Sequence, residues 1–160
     1  MSENRNSKSS GSVIDAFVAG ARQGLQIALN ATIPNILMAF ALIRILNVTG
    51  LLDLISNILN PIMGLFGLPG AAGAVLISAF MSMGGGVGAA AALLSTGTIT
   101  YDAIPILIPA IYLMGSQVQF QGRIGGASEL PTKYHIHIIV ISVIVAFLSM
   151  WVMNLIMLFT

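Results

Sequence analysis

Four polar side chains alternate with apolar or small ones inside the stretch Gly115–Gly126. Gln117, Gln119, Gln121 and Arg123 are separated by Val118, Phe120 and Gly122. In an extended backbone successive side chains point to opposite faces, so three amides and a guanidinium would share one side. Such a row offers many donors and some acceptors, which suits a polar or anionic solute in a cavity of low dielectric. As a helix, the same residues separate into two i,i+4 pairs on different faces. Ser116 precedes the row. A second candidate cluster is Ser82 with Gly84, Gly85 and Gly86, where bare backbone can come close to a ligand. Asn35 beside Pro34 is a third polar group, able either to satisfy backbone freed by the proline or to face the same cavity. The competing explanations are structural: Gly115–Gly126 as the wet end of a membrane span, and the GxxxG spacings Gly20/Gly24, Gly84/Gly88 and Gly122/Gly126 as sites of close helix packing.

Other chemistries find no footing. The chain has no Cys, so disulfides, thiolate metal sites and cysteine nucleophiles are excluded together. No Ser–His–acid set, phosphate loop or zinc helix is visible, and an enzyme is not expected. His135 and His137 bracket Ile136 at the start of an apolar run. That spacing puts them on different helical faces, as interfacial anchors rather than metal ligands. The nine Met are core filler. Asp15, Asp53, Asp102 and Glu129 all fall at edges or loops, which argues against a carboxylate proton relay within a span. A net charge of +1 argues against nucleic acid as a partner. No cofactor is expected, although a coupling ion such as sodium is compatible with the sequence.

The elements that must position these residues are membrane elements. The chain is 57% hydrophobic, well above the roughly 45–50% of soluble domains. Its charges leave four uncharged windows, Gln23–Ile43, Leu54–Tyr101, Ala103–Gly122 and Tyr134–Thr160, and a helix crosses the bilayer core in about 20 apolar residues. Residues 1–12 read as a disordered polar tail and 13–160 as a single transmembrane domain. From Val13 the pattern is amphipathic at helical period, as in a helix lying in the interface. Pro34 predicts a kink or break, Asn47–Gly50 a turn, and Asn60-Pro61 an interruption of the next helix. Three consecutive glycines at Gly84–Gly86 predict that a helix stops and restarts there, since each costs roughly 1 kcal/mol relative to Ala. Irregular backbone at membrane depth persists only where protein or a water-filled cavity satisfies it, which fits a re-entrant hairpin. Tyr134–Phe159 is the one uninterrupted span. The expected fold is therefore an all-α integral membrane bundle with an amphipathic N-terminal helix, a glycine-broken re-entrant hairpin and discontinuous helices.

The stretches Gly20–Ile43, Thr49–Gly70, Ser78–Ala91 and Pro109–Ala127 together resemble the Gate, or nucleoside-recognition, family, notably its YjiG-type and spore maturation protein B-like members. The resemblance spans Val13 to Phe159. It implies a half-transporter: a subunit that forms, with a second Gate-domain membrane protein, a permeation site for a small polar solute. Nucleoside transporters of this family hold the ribose with acidic residues in their hairpins, and none stands near Gly84–Gly88 here. The alternative is a membrane scaffold that assembles a partner complex without transport. Either implies a bacterial cytoplasmic (inner) membrane location, multi-pass, with Arg5, Lys8 and Arg22 favouring a cytoplasmic N-terminus.

Overall fold

The computed structural model describes residues 12–121 and 131–159, and among them every regular element is helical. In chain order these are α1 (Val13–Ile27), a π-helical turn (Ala28–Thr32), α2 (Ile33–Val48), α3 (Leu51–Gly64), α4 (Ala72–Met81), α5 (Met83–Ser95) and α6 (Ala103–Met114). A helical turn over residues 117–121 follows, then a 3-10 turn (Thr132–Tyr134) and α7 (His135–Leu158). The helical runs Val13–Val48, Ala103–Gln121 and His135–Leu158 are long and apolar enough to cross a membrane; α3, α4 and α5 are apolar but shorter. The expected disordered tail lies outside the described residues except for Ser12.

The chain divides into two compact units between Pro34 and Asn35. In the first, α1 starts where Ser12 can cap it. Ser12 Oγ accepts from the Ile14 N–H at 3.3 Å, and Asp15 Oδ2 accepts from the Ser12 N–H at 3.2 Å, a reciprocal capping box. α1 buries none of its residues. The break predicted at Pro34 is absent, because the helix accommodates the proline by widening. The Ile33 N–H reaches back five residues to Ala28 O, and Ile33 keeps helical dihedrals. A π turn of this kind makes room where a proline ring would collide with the preceding turn.

The second unit is an all-α bundle whose core is the α4–α5 pair. α4 and α5 are joined by a single extended residue, Ser82 (φ −157°, ψ 128°), and fold back on each other. Small residues permit the approach. A Cβ placed on Gly86 would lie 2.6 Å from Ala79 Cβ, and one on Gly88 would lie 2.8 Å from Ala39 Cβ and 2.9 Å from Ile36 O of α2. The helix therefore breaks at Ser82 and not within Gly84–Gly86, where it was expected. The glycines begin α5, with Gly85, Gly86 and Gly88 buried. Pro61 likewise does not interrupt α3: the helix runs three residues further, to Gly64, and Pro61 is exposed. The turn at Thr49–Gly50 is as expected, with Gly50 at φ 75°.

α6 and α7 close the bundle. α6 buries Leu107 and Ala110 completely, whereas α7 buries only Ala146 and Met150, so most of α7 faces outward as a lipid-exposed span would. Phe66 stacks on Phe147 with ring centroids 5.6 Å apart. Gly67, Pro69, Thr100, Asp102, Asn154 and Leu158 share one cavity, which places the loops before α4 and after α5 at the C-terminal end of α7. Met81 and Met114, the last residues of α4 and α6, share another with Val143 and Phe147. Both helices thus end level with the interior of α7, far from its termini.

Gly88→Val is expected to destabilise the protein by about 1–3 kcal/mol, because the added atoms meet backbone of α2 that cannot move aside. Gly20→Ala, where nothing lies within 4 Å, is expected to be neutral or stabilising by up to about 1 kcal/mol. Thermal unfolding of both variants in mild detergent checks the pair, and equal effects would refute this account of the glycines.

Candidate functional site

Two helix ends are knitted into one junction. Gly115 ends α6 in an extended conformation, and Ser116 follows at φ 63°, a left-handed position uncommon for a residue with a Cβ. From there the Ser116 N–H donates to Ala79 O of α4 at 2.8 Å, and Ser116 Oγ accepts from the Met83 N–H of α5 at 2.9 Å. One residue thus satisfies a carbonyl near the end of α4 and the first N–H of α5. Gly115 is held to glycine by close contact with Ile111 O and Met83.

The start of α5 can be accounted for group by group. An α-helix leaves its first four N–H groups without partners in the helix. Here the Met83 N–H goes to Ser116 Oγ, the Gly85 N–H to Ser82 Oγ at 3.4 Å, and the Gly86 N–H to Ser82 O at 2.9 Å. Gly84 is the remaining member of that turn. The Asn35 side chain lies beside it: a Cβ built on Gly84 would be 3.3 Å from Asn35 Cβ, 3.8 Å from Asn35 Nδ2 and 3.9 Å from Ser82 Oγ. The structure therefore brings together Asn35, Ser82, Gly84, Gly85, Gly86 and Ser116.

Residues 117–121 are helical, so the glutamines do not form the extended row. Gln117 is buried, with 7% of its surface exposed, and its Oε1 has no hydrogen-bond partner. Gln121, one turn on, is half-buried, and Gln119 points the other way and is exposed. Arg123 lies outside the described residues. Gln117 is the informative amide, since a buried polar atom left unpaired costs about 1–3 kcal/mol and calls for an explanation.

Chemically the junction is neutral and mixed. Ser82 and Ser116 use their oxygens as acceptors and keep hydroxyl protons to donate, Asn35 offers both polarities, and Gln117 has a spare acceptor. The positive end of α5 adds a fixed partial charge. No group of three or more His, Asp or Glu able to hold a metal ion occurs among the described residues. His137 Nδ1 instead pairs with Lys133 O at 2.9 Å at the start of α7, outside the junction. Sequence reasoning picked out Ser82 and Ser116 as solute contacts but missed that both are built into the backbone. The partners Ala79 and Met83 carry no sequence signal; the Gly115-Ser116 pair is the one feature that marks the turn.

Residues 31–151 match the Gate family, described as nucleoside recognition. The chain belongs to the Gate family. It is 51% identical over 144 residues to "Inner membrane protein YjiG" of Escherichia coli strain K12, an alignment covering 90% of this chain and 94% of that one. The proteins of the same name in Escherichia coli O6:H1 and O157:H7 match equally well. No solved structure matches. This is a multi-pass inner membrane protein of YjiG type, and membership of the family agrees with a non-enzymatic role.

Ser116→Ala is expected to cost about 1–3 kcal/mol, because it strands the Met83 N–H while keeping a Cβ at positive φ. Ser116→Gly loses the same acceptor but relieves the backbone, so it is expected to be roughly 1 kcal/mol less damaging than Ala. Unfolding temperatures in detergent order the three proteins, and an Ala variant as stable as the parent would remove the junction's structural role.

Proposed function

We propose that this chain is one subunit of an inner-membrane transporter, and that the junction of the two breaks forms its half of a site for a small polar solute. The observation that carries the proposal is the pair of helix ends meeting level with the interior of α7, with the first turn of α5 and the unpaired Gln117 Oε1 beside them. Membrane transporters build substrate sites from discontinuous helices whose freed backbone groups face the solute. In a membrane such groups persist only beside protein or a water-filled cavity, and a permeation site supplies that cavity. A second Gate-domain membrane protein is the partner this reading requires, since the second unit leaves the faces of α5 and α6 that bear Val87, Ile108 and Tyr112 uncovered.

The solute is polar and without strong net negative charge. The junction supplies amides, hydroxyls and a helix N-terminus, with no Lys, Arg, Asp or Glu among its described residues. A nucleoside, suggested by the family's description, meets this requirement through its base, with the ribose hydroxyls left to uncharged partners. Gate membership, the amide-rich second break and the hairpin support this reading. A scaffold without transport is favoured by one observation, that Gly86, Gly88 and Gly115 are each explained by close packing. It leaves the unpaired Gln117 Oε1 unexplained.

The proposed α4–α5 hairpin enters from the periplasmic face. Arg123 and Lys133 precede α7 in sequence, whereas residues 65–71 and 96–102 at its other end carry no Lys or Arg, and basic residues favour the cytoplasmic side. The absence of native Cys makes this directly measurable. In intact cells, a membrane-impermeant maleimide is expected to label Thr98→Cys and spare Lys133→Cys; the reverse pattern would invert the topology.

Thermal shift on the chain purified with its native partners, screened against nucleosides and other polar solutes, tests the function. One solute is expected to raise the unfolding temperature in a concentration-dependent way. Gln117→Leu is expected to weaken that response at least about tenfold in concentration, roughly 1.4 kcal/mol, while Gln119→Leu leaves it intact. No response across the panel in an intact complex would decide for the scaffold.

A further inference from the structure

A second feature of the bundle has no part in the junction's chemistry. Between α3, α4 and α7 runs a groove of about 340 Å³, bounded by Ile62 on α3, Ile77 and Met81 on α4, Met114 at the end of α6, and Val143 and Phe147 on α7. Every residue lining it is apolar. The floor is closed by buried Met63, Leu76 and Met114, while Ile62, Ile77 and Met81 at the mouth remain 43%, 50% and 62% exposed. The groove is thus continuous with the outward apolar surface of a multi-pass membrane protein.

Three occupants can be weighed on physical grounds. Water needs two to four polar partners to stay in a cavity, and the lining provides none. A helix from another chain is about 10–12 Å across and cannot enter a cleft of this volume. Leaving the space empty would forfeit the dispersion contacts of its walls. A hydrocarbon chain satisfies each constraint, since it needs no polar partner, is thin enough to enter, and restores the dispersion contacts of the walls. Along α4 from Gly73 to Met81 the groove extends about 12 Å at 1.5 Å per residue. One leaflet of a hydrocarbon core about 30 Å thick is close to that depth.

We infer that this groove binds one phospholipid acyl chain, which braces both helix breaks from the side opposite the solute. Its inner end is formed by Met81 and Met114, the residues that immediately precede Ser82 and Gly115. The flexible thioether side chains adapt to a mobile ligand where branched residues would not. An acyl chain packed against both methionines holds α4 and α6 at the spacing that the Ser116 hydrogen bonds require. The hairpin tip therefore depends on lipid as well as on its own polar contacts.

The test uses the full chain reconstituted in vesicles of phosphatidylethanolamine carrying a photoactivatable group midway along one acyl chain, with adducts mapped by mass spectrometry. Labelling is expected to concentrate on Ile77, Met81 and Met114, several-fold above Ile141, an exposed α7 residue outside the groove. Ile77→Trp, which fills the mouth, is expected to reduce the Met114 adduct several-fold, whereas Ile141→Trp leaves it unchanged. Val143→Phe narrows the groove from the opposite wall and serves the same purpose if Ile77→Trp does not fold. Uniform labelling of all outward residues, or cross-links from the groove to another protein chain instead of lipid, would overturn the inference.

Discussion

A broken helix has polar backbone ends that must be paired wherever water is scarce, and this structure brings two such ends together. Their solution is mutual. Ser116, turned through a left-handed conformation, gives its N–H to α4 and its hydroxyl oxygen to α5, while Ser82 caps α5 from within the hairpin. Removing either break would leave the other with orphan groups, so neither exists independently. The packing follows from that need: the hairpin must reach the level of Gly115, and only small residues on its inner face let α4, α5 and α2 come close enough.

The glycines therefore serve two ends that the sequence alone does not distinguish. Gly86, Gly88 and Gly115 are positions where a Cβ would press against backbone or a neighbouring alanine, and their role is the approach of one helix to another. Gly84 is different. Its notional Cβ meets only the Asn35 side chain and the Ser82 hydroxyl, and it is half-buried where Gly85 and Gly86 are buried. A run that reads as one low-complexity motif thus divides, residue by residue, into a packing surface and a position that faces polar side chains. The division depends on which face of α5 meets α4, a tertiary fact that spacing cannot supply.

The same limit explains where sequence reading fell short. Composition and charge spacing made the helical membrane class legible, because about 20 apolar residues without charge have few other uses. The beginning of α1 at Val13 was legible from its amphipathic pattern and the turn at Gly50 from local chemistry, whereas the cap at Ser12 was not read. The breaks were legible in kind but displaced in position. Intrinsic propensity puts the stop among Gly84–Gly86, but a helix start tolerates glycine when a serine caps it, so the stop moves to Ser82. Pro34 and Pro61 were over-read for a related reason: a π turn absorbs the first, and the second sits exposed with its helix only one turn from ending. The glutamine row failed on its stated condition, an extended backbone, and the helical alternative singles out Gln117 in its place.

What the junction lacks shapes what it can do. In the proposed site, with no charged side chain among its described residues, attraction for a solute would come from oriented backbone dipoles and neutral amides, which are fixed in place and need no counter-ion. Such a site favours a ligand that presents donors and acceptors together over one that carries a full charge, because a full charge would lose its hydration without an opposite charge to replace it. A binding site of the proposed kind would draw its selectivity from geometry, and geometry here is set by the two hydrogen bonds of Ser116 and the spacing of Met81 and Met114. On that proposal solute preference would be coupled to whatever holds α4 and α6 in register, and a partner chain or lipid that altered the register would alter the site without touching a single polar residue in it.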